Sequence, residues 1–311
     1  MRILVIGAGA TGGFYGGKLA QAGRDVTFLV RARRAEELRR TGLVIRTPES
    51  EFTVTPKLIR AEELAGQPPF HLILLGVKAY TLEQAMADFA PAVGPETMIL
   101  PMQNGMRHLE LLAERFTPHN VLGGVCRIVG TVDEQGRIVQ MTKLNQVAYG
   151  ELDRSVTPRV QRLHETMSGC GFDVSLEENI LQYMWEKWML LSSLGAINVL
   201  GGASIGNIAA VDEMEGAGLR LERRVTAEAV AIATAQGYPP REHWRATLER
   251  LLTEQVSGFT SSMYRDYTSG SPVEAWQIIG DIVRRGRQHG LESPLLEAAY
   301  VRLRCYERSR G

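Results

Sequence analysis

What this 311-residue chain lacks narrows its reading first. It has no excess charge of either sign, with 35 Lys and Arg against 35 Asp and Glu. No global field therefore draws it toward nucleic acid or an anionic membrane surface. It has only three cysteines, Cys126, Cys170 and Cys305. An odd number, far apart and without a CxxC pair, makes neither a disulfide framework nor a zinc site, so Cys126 and Cys170 read as packed thiols. The histidines at 71, 108, 119, 164, 243 and 289 are scattered and form no HxxxH pair, so metal catalysis has no support. The longest apolar stretch, Met189 to Ala203, is too short for a membrane span and is broken by glycines, Ser192, Ser193 and Asn198. No charged leader or small-residue cleavage site follows Met1-Arg2, which runs straight into an apolar segment. These absences predict a cytoplasmic protein with no metal, no nucleic-acid partner and no membrane partner.

What is present reads as two domains, the number its length suggests at about 100–200 residues each. In the first half, buried apolar runs alternate with helical stretches. Strands are expected at Arg2–Ile6, Val26–Val30, His71–Val77, Thr97–Leu100 and Asn120–Val125, with helices near 11–21, 80–90 and 106–116. This βαβα rhythm predicts an α/β Rossmann domain, a doubly wound and mostly parallel sheet. A hairpin near 130–139 and a further strand at Gln146–Gly150 follow. From about Glu177 the strand runs stop, and long helices are expected at 177–200, 212–236, 240–256, 272–290 and 294–307. The division is thus 1–176, a dinucleotide-binding domain, and 177–311, an all-α domain, with substrate expected in the cleft between them. The long helices leave a homodimer possible, but no heptad run demands one.

The sequence Gly7-Ala8-Gly9-Ala10-Thr11-Gly12 lies directly between the first strand and the first helix, the context a GxGxxG turn requires. The first glycine allows the tight turn, the second a close approach of pyrophosphate, and the third close helix–strand packing. Free N–H groups at the helix start then face the phosphates. At the end of the second strand stands Arg31, followed by Arg33 and Arg34, where an NAD-binding chain would carry a carboxylate. Guanidiniums there suit a 2′-phosphate, which predicts NADP(H) with Arg31 as the leading contact.

Two polar residues close later strands: Lys78 after Leu72–Val77, and Asn104 in Gln103-Asn104-Gly105. Each suits either a ligand contact or simple turn chemistry. Lys187 lies in Trp185-Glu186-Lys187-Trp188, one turn from Tyr183, Met184, Leu190 and Leu191. An ammonium in such an apolar stripe is desolvated and its pKa is drawn toward neutrality, which suits a proton donor. The bland alternative is a stem that snorkels past apolar surface. A third cluster, Thr260-Ser261-Ser262-Met263 with Asp266, Gly270 and Glu274, suits carboxylate binding on a helix-connecting turn. By itself it reads more simply as helix caps, with Ser271-Pro272-Val273-Glu274 as a capping box.

Together these motifs, in this order and spacing over nearly the whole chain, resemble the ketopantoate reductase (2-dehydropantoate 2-reductase) family. The resemblance implies NADPH-dependent reduction of a small 2-oxo acid, nominally 2-dehydropantoate to pantoate in pantothenate biosynthesis. It implies Lys187 as proton donor and Glu274 as a second catalytic residue that holds substrate or cofactor ribose. Ser262 would bind the substrate carboxylate, and Asn104 and Lys78 would contact cofactor or substrate. The family also carries asparagines one and two turns after the lysine, and here those positions are Leu191 and Gly195. Asn198 is the remaining substrate-binding candidate, about 16 Å beyond Lys187 along a helix. Losing two amides favours a different, more apolar 2-oxo acid as the alternative substrate. A non-catalytic NADP(H) sensor is the alternative from another class.

Overall fold

Arg2–Ile6 is apolar throughout, and a strand buried on both faces belongs inside a parallel sheet. The computed structural model, which describes residues 1–310, puts it there. Chain order in the first half is β1 (Arg2–Ile6), α1 (Ala10–Gln21), β2 (Asp25–Leu29), α2 (Ala32–Thr41), β3 (Leu43–Arg46), β4 (Glu51–Val54), β5 (Lys57–Ile59), β6 (Leu72–Leu75), α3 (Leu82–Phe89), β7 (Met98–Pro101), α4 (Arg107–Arg115), β8 (Leu122–Val132), β9 (Ile138–Glu151), α5 (Pro158–Met167) and β10 (Asp173–Leu176). One sheet runs β5-β2-β1-β6-β7, all parallel. The chain builds outward from β1 to β2 and β5, then returns to the other side as β6 and β7. That reversal opens a crevice beyond the C-terminal ends of β1 and β6, where ligands bind in open α/β sheets.

A second sheet holds β10-β9-β3-β4, with β8 antiparallel to β9. Here the structure departs from expectation. The segment expected to extend the parallel sheet begins at Leu122, runs to Val132 and pairs with β9 instead. Its tie to β7 is an isolated bridge, Ile99 to Val121. A Cβ on Gly124 would lie 2.3 Å from the Pro101 carbonyl oxygen, so β8 crosses closely over the end of β7 rather than alongside it. Helix α1 lies between the sheets. Its buried Phe14, Tyr15 and Leu19 join Ile3, Val5, Phe28, Leu72 and Tyr149 in one core, each large side chain worth about 1.5–3 kcal/mol of burial. The Tyr15 hydroxyl donates to Gln146 O at 3.1 Å, tying α1 to β9.

The second half is helical: α6 (Ile180–Gly201), α7 (Ile205–Ala209), α8 (Glu213–Ala235), α9 (Glu242–Thr253), α10 (Ser262–Thr268), a π-helical turn over Trp276–Gly280, α11 (Asp281–Gln288) and α12 (Pro294–Arg310). Helix α6 is apolar nearly all round, which marks a central helix rather than a surface one. No helix among the described residues is long and apolar enough to cross a membrane. The helix expected over 272–290 is a π turn leading into α11, and the turn expected around 260–268 is the short helix α10.

The chain forms two compact units. The first contains Met1–Gln103 and His108–Leu181, and the second contains Asn104–Arg107 and everything from Gln182 onward. The expected division after residue 176 differs twice: the break follows Leu181, and the loop Asn104–Arg107 goes with the helices.

Candidate active site

The glycine turn has the geometry its sequence requires. Gly7 adopts φ +87°, which a side chain would oppose, and its N–H donates to Leu29 O at 3.2 Å. A Cβ on Gly12 would stand 2.3 Å from Gly7 O, so only glycine lets α1 approach the turn this closely. Gly9 caps α1 with no side-chain hydrogen bond, and a Cβ there would meet nothing within 4 Å. The start of α1 thus offers its N–H groups to open space, as an anion-binding helix end does. A cavity of about 1050 Å³ opens there, lined by Gly7, Ala8, Gly9, Arg31, Arg33, Arg60 and the tip of the β8–β9 hairpin, among others. It is large enough for a dinucleotide, whose phosphates the turn and helix start suit.

The cations around this cavity are not equivalent. Arg31 precedes α2 and is exposed, as is Arg33. Arg34 is engaged by Glu37 at 2.8 Å, and Arg60 by Glu62 at 3.0 Å. Of the turn residues, Gly7, Ala8 and Gly9 line the cavity, whereas Ala10, Thr11 and Gly12 begin the helix behind it. Lys78 is exposed after β6, where its carbonyl accepts from Thr81 Oγ1 at 2.9 Å, and it does not line the cavity. The hairpin itself is legible in the sequence, but not the place of its tip or of Arg60 on the cavity, because strand β5 is three residues long and neither segment carries a motif.

The remaining candidates, Asn104, Lys187, Asn198, Ser262 and Glu274, all belong to the helical unit. Gly105, at φ +78°, packs so closely that a Cβ would lie 2.5 Å from Gln277 O. This sets Asn104 next to the segment that follows Glu274. Lys187 is half-buried on α6 together with Tyr183 and Leu191, while Trp185, Glu186, Trp188 and Met189 are buried. Both neighbours of Lys187 are pinned. Glu186 receives Arg241 Nε at 2.9 Å and the Arg241 backbone N–H at 3.0 Å, and its own carbonyl accepts from Trp244 Nε1 at 2.9 Å. Burial works against the Glu186 carboxylate, but the bonds from Arg241 prevail and hold its pKa below the usual carboxylate range. Trp188 Nε1 donates to Ile278 O at 2.8 Å.

Glu274 is buried, 8% exposed, just before the π turn. Ser262 is half-buried at the first position of α10, and the capping role falls to Ser261, whose Oγ accepts from Tyr264 N at 3.0 Å. The expected Ser271 cap is absent from the hydrogen bonding: its hydroxyl meets Ser269 Oγ at 3.1 Å. Asn198, the remaining substrate-binding candidate, has protein partners at both ends of its amide. It is fully buried, its Nδ2 donates to Ala203 O at 2.9 Å, and its Oδ1 accepts from Ser261 N at 2.9 Å. That amide fastens α6 to the start of α10. At Gly195 a Cβ would lie 2.5 Å from the Met263 methyl, so a buried methionine fills the space a longer side chain would need.

Comparisons with known proteins agree with this architecture. Residues 3–154 match the family model for ketopantoate reductase PanE/ApbA, and residues 179–307 match its C-terminal model. The oxidoreductase YkpB of Bacillus subtilis (strain 168), described as uncharacterized, is 33% identical over 307 residues, covering 99% of each chain. The crystal structure of 2-dehydropantoate 2-reductase from Geobacter metallireducens GS-15 superposes with a TM-score of 0.86 at 27% identity, covering 98% of this chain and 99% of that one. A D-mandelate dehydrogenase solved with NADH and anilino(oxo)acetate has a TM-score of 0.87 at 19% identity, covering 100% and 99%, and shares the fold. With both units matched, the chain belongs to the ketopantoate reductase PanE/ApbA family, NAD(P)-dependent oxidoreductases that act on a CH–OH group.

Proposed function

We propose that the protein uses NADPH to reduce the carbonyl of a small 2-oxo acid, nominally 2-dehydropantoate to pantoate in pantothenate biosynthesis, with Lys187 as proton donor. The setting of Lys187 carries this reading: it is a half-buried ammonium on a mostly apolar helix, with both sequence neighbours immobilised. A dinucleotide held at this turn would supply the hydride that the carbonyl carbon needs. The Lys187 ammonium gives its proton to the carbonyl oxygen as charge builds there, and the neutral amine is reprotonated from water. Ser262 holds the substrate carboxylate, and Asn104 and Glu274 orient substrate and the cofactor ribose. The Gly7–Gly12 turn would hold the pyrophosphate and Arg31 the 2′-phosphate, and Lys78, outside the cavity lining, would reach cofactor or substrate from the end of β6.

The purified protein should oxidise NADPH when given 2-dehydropantoate. Lys187→Ala should lose most turnover while binding NADPH as tightly as wild type, and full turnover in that variant would refute the role. Arg31→Ala should weaken NADPH far more than NADH, whereas equal losses would point to NAD(H).

A second reading keeps the reaction and changes the substrate. Leu191 on the Lys187 face and Met263 against Gly195 give this face apolar atoms, which suit a 2-oxo acid with a branched or aromatic side chain. The neighbour that acts on mandelate makes an aryl group a reasonable probe. Comparing kcat/KM for 2-dehydropantoate and phenylglyoxylate decides between the two.

A further inference from the structure

Arg34 sits beside the cofactor cavity, yet its guanidinium is occupied by protein. Its Nη2 donates to Ala8 O in the glycine turn at 3.3 Å and to Gly136 O at the hairpin tip at 2.9 Å. Its Nη1 lies 2.8 Å from Glu37, one turn further along α2. One side chain therefore joins three segments that are remote in sequence. The hairpin tip is shaped for this junction. Asp133 accepts from the backbone N–H groups of Gln135 at 3.1 Å and Arg137 at 2.9 Å and pairs with Arg137 Nε at 2.8 Å, which closes the turn. Gly136 has φ +75°, a conformation that disfavours any side chain, and a Cβ on it would meet the ends of the Glu37 and Arg34 side chains, so a residue other than glycine strains the tip and displaces the Arg34–Glu37 pair. Val132, Asp133, Glu134 and Gly136 then line the same cavity as Gly7–Gly9.

We propose that Arg34 is a positioning residue for the dinucleotide. It latches the β8–β9 hairpin onto the phosphate-binding turn, so the hairpin becomes a wall of the cavity. It also neutralises Glu37, whose carboxylate would otherwise face the phosphates. The proposal rests on the dinucleotide reading above and separates Arg34 from Arg31. Arg31 senses the extra phosphate of NADP(H), whereas Arg34 serves either dinucleotide alike. Lysine is a poor replacement, because a single ammonium does not reproduce the planar fork that spans two carbonyls and a carboxylate.

The test is fluorescence titration of the full-length protein with NADPH and with NADH, for wild type, Arg34→Ala, Arg34→Lys and Gly136→Ala. Hydrogen exchange is followed over residues 130–138 in the same samples. Arg34→Ala and Gly136→Ala should each weaken both dinucleotides by a similar factor of about ten. KM for the dinucleotide should rise in step while kcat at saturation holds, and exchange in the hairpin should quicken. Arg34→Lys should restore only part of the affinity, and adding Glu37→Gln to Arg34→Ala should recover no more than a small part of it, because the hairpin stays unlatched. Weakening of NADPH alone in Arg34→Ala would make Arg34 a direct phosphate ligand and overturn the latch. Unchanged affinity in Arg34→Ala, with wild type binding normally, overturns the latch alone, whereas wild type binding neither dinucleotide overturns the cofactor reading as well. Gly136→Ala breaks the junction from the hairpin side, so the test stands even if Arg34→Ala does not fold.

Discussion

Trp188 donates its indole N–H to the carbonyl oxygen of Ile278, 2.8 Å away, within a π-helical turn. A π turn disturbs the regular helical hydrogen-bond ladder, and such turns recur at functional sites. The indole supplies a donor there from a side chain that is 1% exposed. Trp188 adjoins Lys187 and Ile278 follows Glu274 by one helical turn, so this bond fixes the register of the proposed proton donor against the proposed orienting carboxylate.

Trp188→Phe should keep much of the aromatic packing against Trp185, whose ring centroid lies 4.8 Å away, while leaving the Ile278 carbonyl without its donor. The expected cost is about 1–3 kcal/mol, read as a lower urea midpoint. In the folded variant kcat should fall more than dinucleotide affinity. Wild-type kcat would detach the indole from the site.

Asn198→Ala should act on stability. It orphans the buried Ser261 N, at about 1–3 kcal/mol for a buried group left unpaired, and frees the half-buried Ala203 O. A lowered melting temperature with little change in KM for the oxo acid is expected. A raised KM at an unchanged melting temperature would return Asn198 to the substrate.

Glu222 on α8 gives a pH signature. It is fully buried with neither carboxylate oxygen hydrogen-bonded, and burial, with Glu249 adding to it, pushes its pKa up to about 7. An acid whose folded pKa exceeds its unfolded value binds more protons when folded. Its contribution to stability therefore falls as pH rises from about 4.5 to about 7, then levels off. Glu222→Gln remains neutral, so urea unfolding at pH 5 to 8 should show a flatter profile. Above pH 7 the variant should exceed wild type by up to about 3 kcal/mol. Parallel profiles for the two proteins would count against the buried acid.

The glycine turn was legible because its demands are local: a positive φ at Gly7 and a missing Cβ at Gly12 follow from residue type and position. Long helices were legible for the same reason, since their periodicity accumulates over many residues. The second sheet was not. Strands β3, β4 and β10 are four residues each, too short for alternation to register, and Gly123, Gly124 and Gly130 resemble turn punctuation inside what is one eleven-residue strand. The sequence singles out Arg31 among the three arginines after β2, but only tertiary structure assigns Arg34 to Ala8 and Gly136. The partners of Asn198, Ala203 and Ser261, likewise come into view only in the tertiary structure.

The membership of Asn104–Arg107 in the helical unit bears on how relatives of this protein can exchange parts. A recombination point placed between the halves, near Leu181, would transplant the helices without four residues that pack as part of them. Gly105 would then meet a foreign residue 277, at a separation that tolerates no added Cβ. The module inherited as a unit is therefore discontinuous in the gene: shuffling that respects it must cut three times, and a parental loop carried along in the middle of the first half decides whether a hybrid keeps its Asn104.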